Sequence, residues 1–171
     1  MGEIVWNTSS EYILIAIPLF VMLGEILLRA GIAERVYNAI AQWLSWLPGG
    51  LMHANIGACA MFAATSGSSV ATAATIGTVA IPEIEKRKYD EPLFLGTIAA
   101  GGTLGILIPP SINMIVYGVL TDTSIPKLYL AGFIPGVVLA ALFSLTVLAI
   151  CLIRPSLGGT PTVTNLSLIH I

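Results

Sequence analysis

The chain has 171 residues, of which 56% are hydrophobic and only 9% are charged, and its mean hydropathy is +0.93. Soluble domains carry about 25% charged residues, so this composition excludes an ordinary soluble domain and indicates an integral protein of the lipid bilayer. A net charge of −2 without any basic stripe argues against a nucleic-acid partner.

The first apolar run extends from Tyr12 to Leu28 and is nearly uncharged. At about 1.5 Å per residue, roughly 17 helical residues cross most of a 30 Å hydrocarbon core, so this run predicts the first membrane span. Glu25 and Arg29 are four positions apart and are expected to pair on one face of the helix. No cleavable signal peptide is expected before this span, because residues 1–10 lack a basic n-region.

The segment from Ile32 to Leu47 has the pattern of an amphipathic helix that lies in the membrane interface. Apolar residues recur at helical spacing at Ile32, Val36, Ile40, Leu44 and Leu47. Trp43 and Trp46 are expected at headgroup depth, and Pro48-Gly49-Gly50 ends the helix. Residues 1–50 are therefore predicted to form a scaffold span followed by an interfacial arm helix.

Residues 51–82 contain no charged side chain, but Thr65 to Ser69 interrupts them with hydroxyls and a glycine. The apolar arms on either side have about 15 residues each, or roughly 21 Å of helix, which is too short to cross the core comfortably. Basic residues flank the segment on both sides, so the positive-inside rule places both flanks in the cytoplasm. These features favour a re-entrant helical hairpin and a cytoplasmic loop over residues 51–92. Two cramped spans with a tight outer turn satisfy the same charges.

The stretch from Gly101 to Asn113 places two prolines and three glycines where a membrane helix should be continuous. The prolines have no backbone N–H, so the carbonyls near Gly105 and Ile106 lose their helical partners. In hydrocarbon each unpaired peptide group costs several kcal/mol, and such a break survives only where it is buried in protein or lines a watery cavity. Residues 93–127 are therefore predicted to form a discontinuous, proline-broken transmembrane helix with its break near the bilayer midplane.

Residues 128–155 return as a long apolar span, and residues 156–171 form a tail without helical periodicity. With this topology every basic residue except Lys127 lies on the cytoplasmic side, as the positive-inside rule requires. Cys59 and Cys151 lie in separate apolar runs and are expected to be buried free thiols. The whole pattern predicts an all-α, multi-pass membrane fold.

The polar tip at residues 65–69 and the break at residues 101–113 are both expected at midplane depth. Secondary transporters build substrate and ion sites from such elements, because half-helix N-termini attract anions and freed carbonyls coordinate Na⁺. No Lys or Arg lies in either segment, so helix dipoles, hydroxyls and bound Na⁺ would have to hold an anion. An enzyme is not expected. A membrane hydrolase using Ser68 and His53 is the alternative, but the sequence lacks the context of a nucleophile elbow.

Four blocks of the sequence resemble the large membrane subunit of tripartite ATP-independent periplasmic (TRAP) transporters. These blocks are Ile17 to Glu25, Leu47 to Gly50, Ser66 to Ala74 and Gly101 to Asn113. The likeness covers about residues 6 to 154, and the last two blocks carry the most specific motifs.

The resemblance implies a Na⁺-driven symport system of the bacterial inner membrane. A periplasmic solute-binding protein would deliver an organic acid, such as a C4-dicarboxylate or sialic acid, and a small TRAP membrane subunit would accompany the large one. Na⁺ would be the coupling ion, and no other cofactor is implied. The family is an elevator-type inverted-repeat transporter. The chain resembles one repeat, with scaffold and arm in residues 12–47 and half of the transport domain in residues 51–121.

Carried over residue by residue, the resemblance implies two groups of site residues. The hairpin tip contributes Ser66, Gly67, Ser68, Ser69 and Thr72. The unwound helix contributes Gly102, Thr103, Gly105, Pro109, Pro110, Ser111 and Asn113. Together they are expected to frame one Na⁺ site and one wall of the substrate pocket. The Na⁺ candidates are Ser66, Ser68, Gly105 and Asn113.

The sequence departs from the family in length, because nothing after Arg154 resembles the inverted second repeat. The chain is therefore expected to hold half of the site. Two alternatives stay open, namely another Na⁺- or H⁺-coupled anion carrier built from hairpins and broken helices, and a structural membrane subunit without a solute site.

Overall fold

The computed structural model describes Trp6 and residues 10–159. Within this part of the chain the structure is helical, and no strand occurs. The helices are α1 (Ala16–Arg29, after a 3-10 turn at Tyr12–Ile15), α2 (Ile32–Leu44), α3 (Leu51–Ser66), α4 (Ser69–Ala80), α5 (Pro82–Arg87), α6 (Glu91–Leu107), α7 (Ile112–Leu120) and α8 (Ile125–Ile153, before a 3-10 turn at Pro155–Gly158). Most of the residues to which the expectation about a signal peptide applies lie outside the described residues. The tail from residue 160 onward lies wholly outside them.

Among the described residues, three segments are long and apolar enough to cross a membrane, which agrees with the predicted all-α membrane class. They are Tyr12–Arg29, Glu91–Leu120 and Ile125–Ile153. The second of these contains both α6 and α7, so it is one candidate span interrupted by the predicted break. The predicted ion pair in α1 is confirmed, because Arg29 Nε lies 2.7 Å from Glu25 Oε1.

Helix α3 lies at the centre of the fold, and α2, α4, α6 and α8 pack around it. It is apolar on every side and rich in alanine, which is the pattern of a helix buried by neighbours all round. Its small residues allow close helix approach: a Cβ on Gly101 of α6 would lie 2.9 Å from the Cβ of Cys59. Cys59 and Cys151 are buried and free, as predicted.

The amphipathic pattern of the arm helix is reflected in how α2 packs. Its inner face buries Ala33 and Tyr37 against the core, while Trp43 and Trp46 are 82% and 77% exposed. The helix ends at Leu44, one turn before the predicted end at Leu47. An interfacial position of the tryptophans stays a prediction.

The loop predicted between the hairpin and the broken helix is helical in its first part, which forms α5. Pro82 stands in the first turn, acidic residues follow it, and Lys86 and Arg87 occupy the last turn, an arrangement that complements the helix dipole. The helix ends where Lys88 adopts a left-handed conformation with φ of 55°. Asp90 then caps α6, since its Oδ1 accepts a hydrogen bond from the Leu93 N–H at 3.0 Å.

The ion pairs of α5 give a prediction about pH. Glu83 lies 2.9 Å from Lys86 Nζ and 2.7 Å from Arg87 Nε, and hydrogen bonds from these cations hold the pKa of its carboxyl below the usual 4.5. A lowered folded-state pKa stabilises the protein above the unfolded-state value, and this stabilisation is lost as the pH falls through the folded-state pKa.

We therefore expect Glu83→Gln to lower stability by a few tenths of a kcal/mol at pH 7, and to have no effect well below pH 4. Thermal unfolding in detergent between pH 3 and 7 measures the difference. Glu34→Gln, at an exposed carboxylate in the first turn of α2, is the matched control. A Glu83→Gln effect that persists at pH 3 would contradict the ion-pair explanation.

Candidate functional site

The hairpin between α3 and α4 turns within two residues, Gly67 and Ser68. Gly67 ends α3 in the left-handed region with φ of 61°, and Ser68 is extended and caps α4. A Cβ at Gly67 would lie 3.0 Å from the carbonyl oxygen of Pro110 and 3.3 Å from the amide nitrogen of Ile112. Glycine is therefore required here both by the backbone conformation and by the packing of the turn on the α6–α7 break.

A buried network of hydroxyl groups connects the residues of the tip by hydrogen bonds. The Ser66 and Thr72 side chains are 3% and 0% exposed, and their hydroxyl oxygens are 2.9 Å apart. The Thr72 hydroxyl donates to the Ser68 carbonyl at 2.7 Å, and the Ser66 hydroxyl also lies 3.4 Å from that carbonyl oxygen. The Ser68 hydroxyl accepts from the Ala71 N–H at 3.4 Å, as an N-cap does. The turn is thus held in one shape without solvent.

The break between α6 and α7 covers residues 108–111, with Pro109 and Pro110 at its centre. One of the carbonyls freed by the prolines has found a partner inside the break. Ser111 is fully buried, and its hydroxyl donates to the Ile106 carbonyl at 2.7 Å. Among the residues described, no hydrogen bond reaches the carbonyl of Gly105, whose helical donor would have been Pro109.

The tip and the break are in direct contact through the glycines of α6. A Cβ on Gly105 would lie 2.7 Å from the Ser68 carbonyl oxygen and 2.8 Å from the Ser69 nitrogen. One turn earlier, a Cβ on Gly102 would lie 2.8 Å from the Cβ of Ala73. The Ile112 N–H donates to the Gly67 carbonyl at 3.4 Å, which joins the start of α7 to the tip.

The predicted site residues do not all face this contact. Those at the tip, together with Gly102, Gly105, Pro110 and Ser111, lie in or beside it. Pro109 is half-buried within the break. Thr103 is exposed, and its hydroxyl donates to the Ala100 carbonyl of its own helix at 2.7 Å. Asn113 is exposed on the first turn of α7, and its side chain makes no hydrogen bond to another described residue.

Gly24 of α1 was missed from the sequence as a neighbour of the site. It is the buried residue of that helix, and a Cβ there would lie 3.3 Å from the Cβ of Ser66. The sequence did contain a signal, because Gly24 is a glycine inside a predicted span and belongs to the block from Ile17 to Glu25. It pointed to close packing but could not say against which segment.

His53 has a structural role in the described fold. Its Nδ1 is 2.6 Å from the Ser144 hydroxyl and its Nε2 is 2.9 Å from the Pro48 carbonyl oxygen. Ser68 lies beyond the opposite end of α3, about 20 Å away at 1.5 Å per residue. A hydrolytic Ser68–His53 pair is therefore not formed.

Four helix ends converge where the tip meets the break. The C-termini of α3 and α6 bring partial negative charge at Ser66 and Leu107, and the N-termini of α4 and α7 bring partial positive charge at Ser69 and Ile112. No Lys or Arg belongs to either segment. Such a site can hold a cation on carbonyls and hydroxyls and an anion on N–H groups, side by side.

A family model described as tripartite ATP-independent periplasmic transporter, DctM component, matches residues 1–169. The C4-dicarboxylate TRAP transporter large permease protein DctM of Pseudomonas aeruginosa is 38% identical over 149 residues, which are 87% of this chain and 35% of that protein. The sialic acid TRAP transporter permease protein SiaT of Haemophilus influenzae is 39% identical over 137 residues, 80% of this chain and 22% of its own length.

The ectoine/5-hydroxyectoine TRAP transporter large permease protein UehC of Ruegeria pomeroyi is 40% identical over 131 residues, 77% of this chain and 31% of its own length. The chain thus spans about a third or less of the length of these relatives. The named substrates of the three relatives differ from one another.

Proposed function

The chain belongs to the DctM component family of tripartite ATP-independent periplasmic transporters, and on this premise we propose that it forms part of a permease that couples Na⁺ entry to uptake of an organic acid. The observation that carries the proposal is the convergence of four helix ends between the tip and the break. Two of these ends suit a cation and two suit a carboxylate. A co-bound Na⁺ would supply the positive charge that no side chain of either segment supplies.

The Na⁺ site in this proposal lies on Ser66, Ser68, Gly105 and Asn113. A Cβ on Gly105 would lie 2.7 Å from the Ser68 carbonyl oxygen, so the unpaired carbonyl of Gly105 belongs to a residue that packs on the tip. Hard cations such as Na⁺ take oxygen ligands of this kind. The exposed amide of Asn113 makes no hydrogen bond to a described residue and would be available to an ion or a substrate that enters the site. The other predicted residues of the two segments form one wall of the substrate pocket.

We propose that α3 and α4 form a re-entrant hairpin in the membrane. Helices α3 and α4 have 16 and 12 residues, or about 24 and 18 Å of helix, so neither crosses a 30 Å core comfortably. Both would enter from the cytoplasmic side of the bacterial inner membrane and meet the break near the midplane. In this frame residues 1–50 serve as scaffold and arm, and residues 51–127 move as part of an elevator.

The proposed partners are a small TRAP membrane subunit and a periplasmic solute-binding protein that delivers the substrate. Relatives are named for C4-dicarboxylate, sialic acid and ectoine, which carry a carboxylate, and another is named for isethionate, which is a sulfonate. Carboxylates and sulfonates are both anions, and anions are the ligands that helix N-termini favour. We therefore assign the chain to organic acids and leave the choice of acid to the binding protein.

The experiment is uptake by a chimera in which residues 6–154 replace the matching segment of the P. aeruginosa relative, assayed with that relative's own binding protein. We expect uptake of C4-dicarboxylate that requires both Na⁺ and the binding protein. Ser68→Leu should lower the rate by more than tenfold, because leucine cannot replace the cap or the hydroxyl. Thr146→Leu, at an exposed position of α8, is the control and should leave the rate unchanged.

Uptake that is driven equally well by a proton gradient without Na⁺ would refute the Na⁺ coupling and favour an H⁺-coupled carrier. Na⁺-dependent uptake that is unchanged by Ser68→Leu would refute the site. A full-length permease containing this chain, assayed in the same way, separates these outcomes from a chimera that fails to assemble.

A further inference from the structure

A continuous buried chain of polar side chains joins three helices at the base of the hairpin, far from the tip. The Tyr37 hydroxyl of α2 donates to Asn55 Oδ1 of α3 at 3.0 Å, and Asn55 Nδ2 donates to the Thr97 hydroxyl of α6 at 2.9 Å. Thr97 in turn donates to the Phe94 carbonyl at 2.7 Å. All three side chains are at most 4% exposed. The proposed Na⁺ and substrate site uses none of them.

Asn55 is the central member of this chain, because it both accepts and donates. Its amide has one partner on the arm helix and another on the broken helix, so its orientation is set by both neighbours at once. In a water-free interior an amide with two fixed partners is costly to rotate or separate. The arm helix and the broken helix are therefore tied to the first turns of the hairpin as one unit.

The turns at the two ends of α2 differ in how tightly they are packed. At its C-terminal side, the turn through Pro48 and Gly49 is packed tightly: a Cβ on Gly49 would lie 3.0 Å from Cys151 Sγ, and the Pro48 carbonyl is bonded to His53. At its N-terminal side, Gly31 is left-handed with φ of 69°, and nothing lies within 4 Å of a Cβ built there. The open glycine turn therefore precedes the arm helix, and the locked one follows it.

Helix α1 has no comparable attachment. Among the described residues its side-chain hydrogen bonds stay within the helix, between Arg29 and Glu25. It packs on α3 through Gly24, against Ser66, and partly buried Leu27 packs against the core. It also contacts α2 and α7, without a side-chain hydrogen bond to either among the described residues. A contact of this kind, without polar bonds, can slide or separate without leaving a polar group unsatisfied.

We propose that Asn55 is a positioning residue that makes the arm helix part of the moving body, so that this body begins at Gly31 and not after Gly50. The proposal rests on the elevator mechanism of the proposed function, and it extends the moving body of that mechanism by the whole of α2. Tyr37 and Thr97 hold Asn55 in place, and Gly31 is the hinge. Gly24 is the point where the first span touches the tip.

The test measures distances in the full-length permease that contains this chain, with spin labels on pairs of introduced cysteines. Cys59 and Cys151 are buried, and cysteines elsewhere in the permease are replaced by serine first, so that only the introduced positions are labelled. One pair, Gln42 and Ala99, joins the arm helix to α6, and the other, Met22 and Gln42, crosses Gly31. All three positions are exposed. We expect the first distance to stay constant between Na⁺-free and Na⁺- and substrate-loaded protein, and the second to change.

A change in the Gln42–Ala99 distance with a constant Met22–Gln42 distance would overturn the proposal, since the arm would then belong to the scaffold. Constant distances in both pairs would overturn it as well. Na⁺-dependent uptake is measured on the same labelled proteins. Loss of that dependence indicates failure of the proposed function, whereas retained dependence with the wrong distance pattern indicates failure of this inference alone.

Tyr37→Phe supplies a second test that keeps the ring and the packing. It removes the hydroxyl that ties the arm to Asn55, so the Gln42–Ala99 distance distribution should broaden and the maximal uptake rate should fall severalfold with little change in KM. Tyr12→Phe, at an exposed tyrosine, is the matched control. A merely structural role would lower the amount of folded permease and leave both the distance distribution and the rate per folded molecule as they are, which would overturn the proposal.

Discussion

Replacing Gly105 with alanine is expected to abolish Na⁺-dependent uptake in the chimera. The added methyl would lie 2.7 to 2.8 Å from backbone atoms of Ser68 and Ser69, and backbone cannot move aside as a flexible side chain can. Overpacking of this kind typically costs about 1–3 kcal/mol. The tip must therefore separate from α6 or the helix must shift, and either change disperses the helix ends that form the proposed site.

Gly96→Ala in the same helix is the matched control, because nothing lies within 4 Å of a Cβ built there. Alanine also has the higher helix propensity, so Gly96→Ala should preserve uptake and raise stability slightly, by up to about 1 kcal/mol. Uptake by both variants and thermal unfolding of both proteins in detergent measure the difference. Equal uptake by the two variants would show that the close approach of α6 to the tip is not needed for transport.

Ser111→Ala is expected to have the second largest effect. The variant removes the hydroxyl that donates to the Ile106 carbonyl at 2.7 Å and leaves that carbonyl, at a part-buried position, without this partner. A buried unpaired polar group costs about 1–3 kcal/mol, and in this case the cost falls on the turn that starts α7. We expect a lower melting temperature and a rate of uptake reduced by at least tenfold.

Thr146→Ala is the matched control for this variant. It also removes a hydroxyl that donates to a carbonyl of the chain, that of Leu142 at 2.8 Å, but it lies exposed on α8, where the carbonyl keeps its helical partner. Ser111→Thr, which retains the hydroxyl, should recover part of the stability. If Ser111→Ala and Thr146→Ala melt at the same temperature, the Ser111 hydroxyl does not stabilise the break.

Both variants probe the same physical feature, a backbone that departs from helical bonding inside an apolar protein. In the tip, the hydroxyls of Ser66 and Thr72 supply hydrogen-bond partners from within the turn. In the break, Ser111 supplies one such partner and leaves the Gly105 carbonyl open. In the proposed Na⁺ site this carbonyl is one of the ligands, so bound Na⁺ would also stabilise the break.

Local signals were sufficient to predict most of the helices and their limits. The break was predicted because proline has no N–H, and the tip because a glycine and four hydroxyl residues, Thr65, Ser66, Ser68 and Ser69, interrupt an apolar run. The Glu25–Arg29 pair followed from spacing alone and is confirmed. The helix α5 was not predicted because a cluster of charged residues is equally typical of a loop, and the helix has only six residues.

Side-chain direction within the site could not be predicted in the same way. Thr103 belongs to the same motif as Gly102 and Gly105, but it lies on the opposite side of α6 and is exposed. A motif fixes which residue types occur together, whereas the face that each one presents depends on how the helix rotates against its neighbours. The exposed position of Asn113 has the same origin.

The sequence by itself determined that this chain is a helical membrane protein with a broken span and a polar tip, because these features depend on composition, periodicity and the missing N–H of proline. Only the tertiary structure decided what the arm helix is attached to. Tyr37, Asn55 and Thr97 are about twenty and forty positions apart, and no local pattern marks them as partners. Their bonds form because α3 is buried between α2 and α6, where a polar side chain must find a partner on whichever helix reaches it.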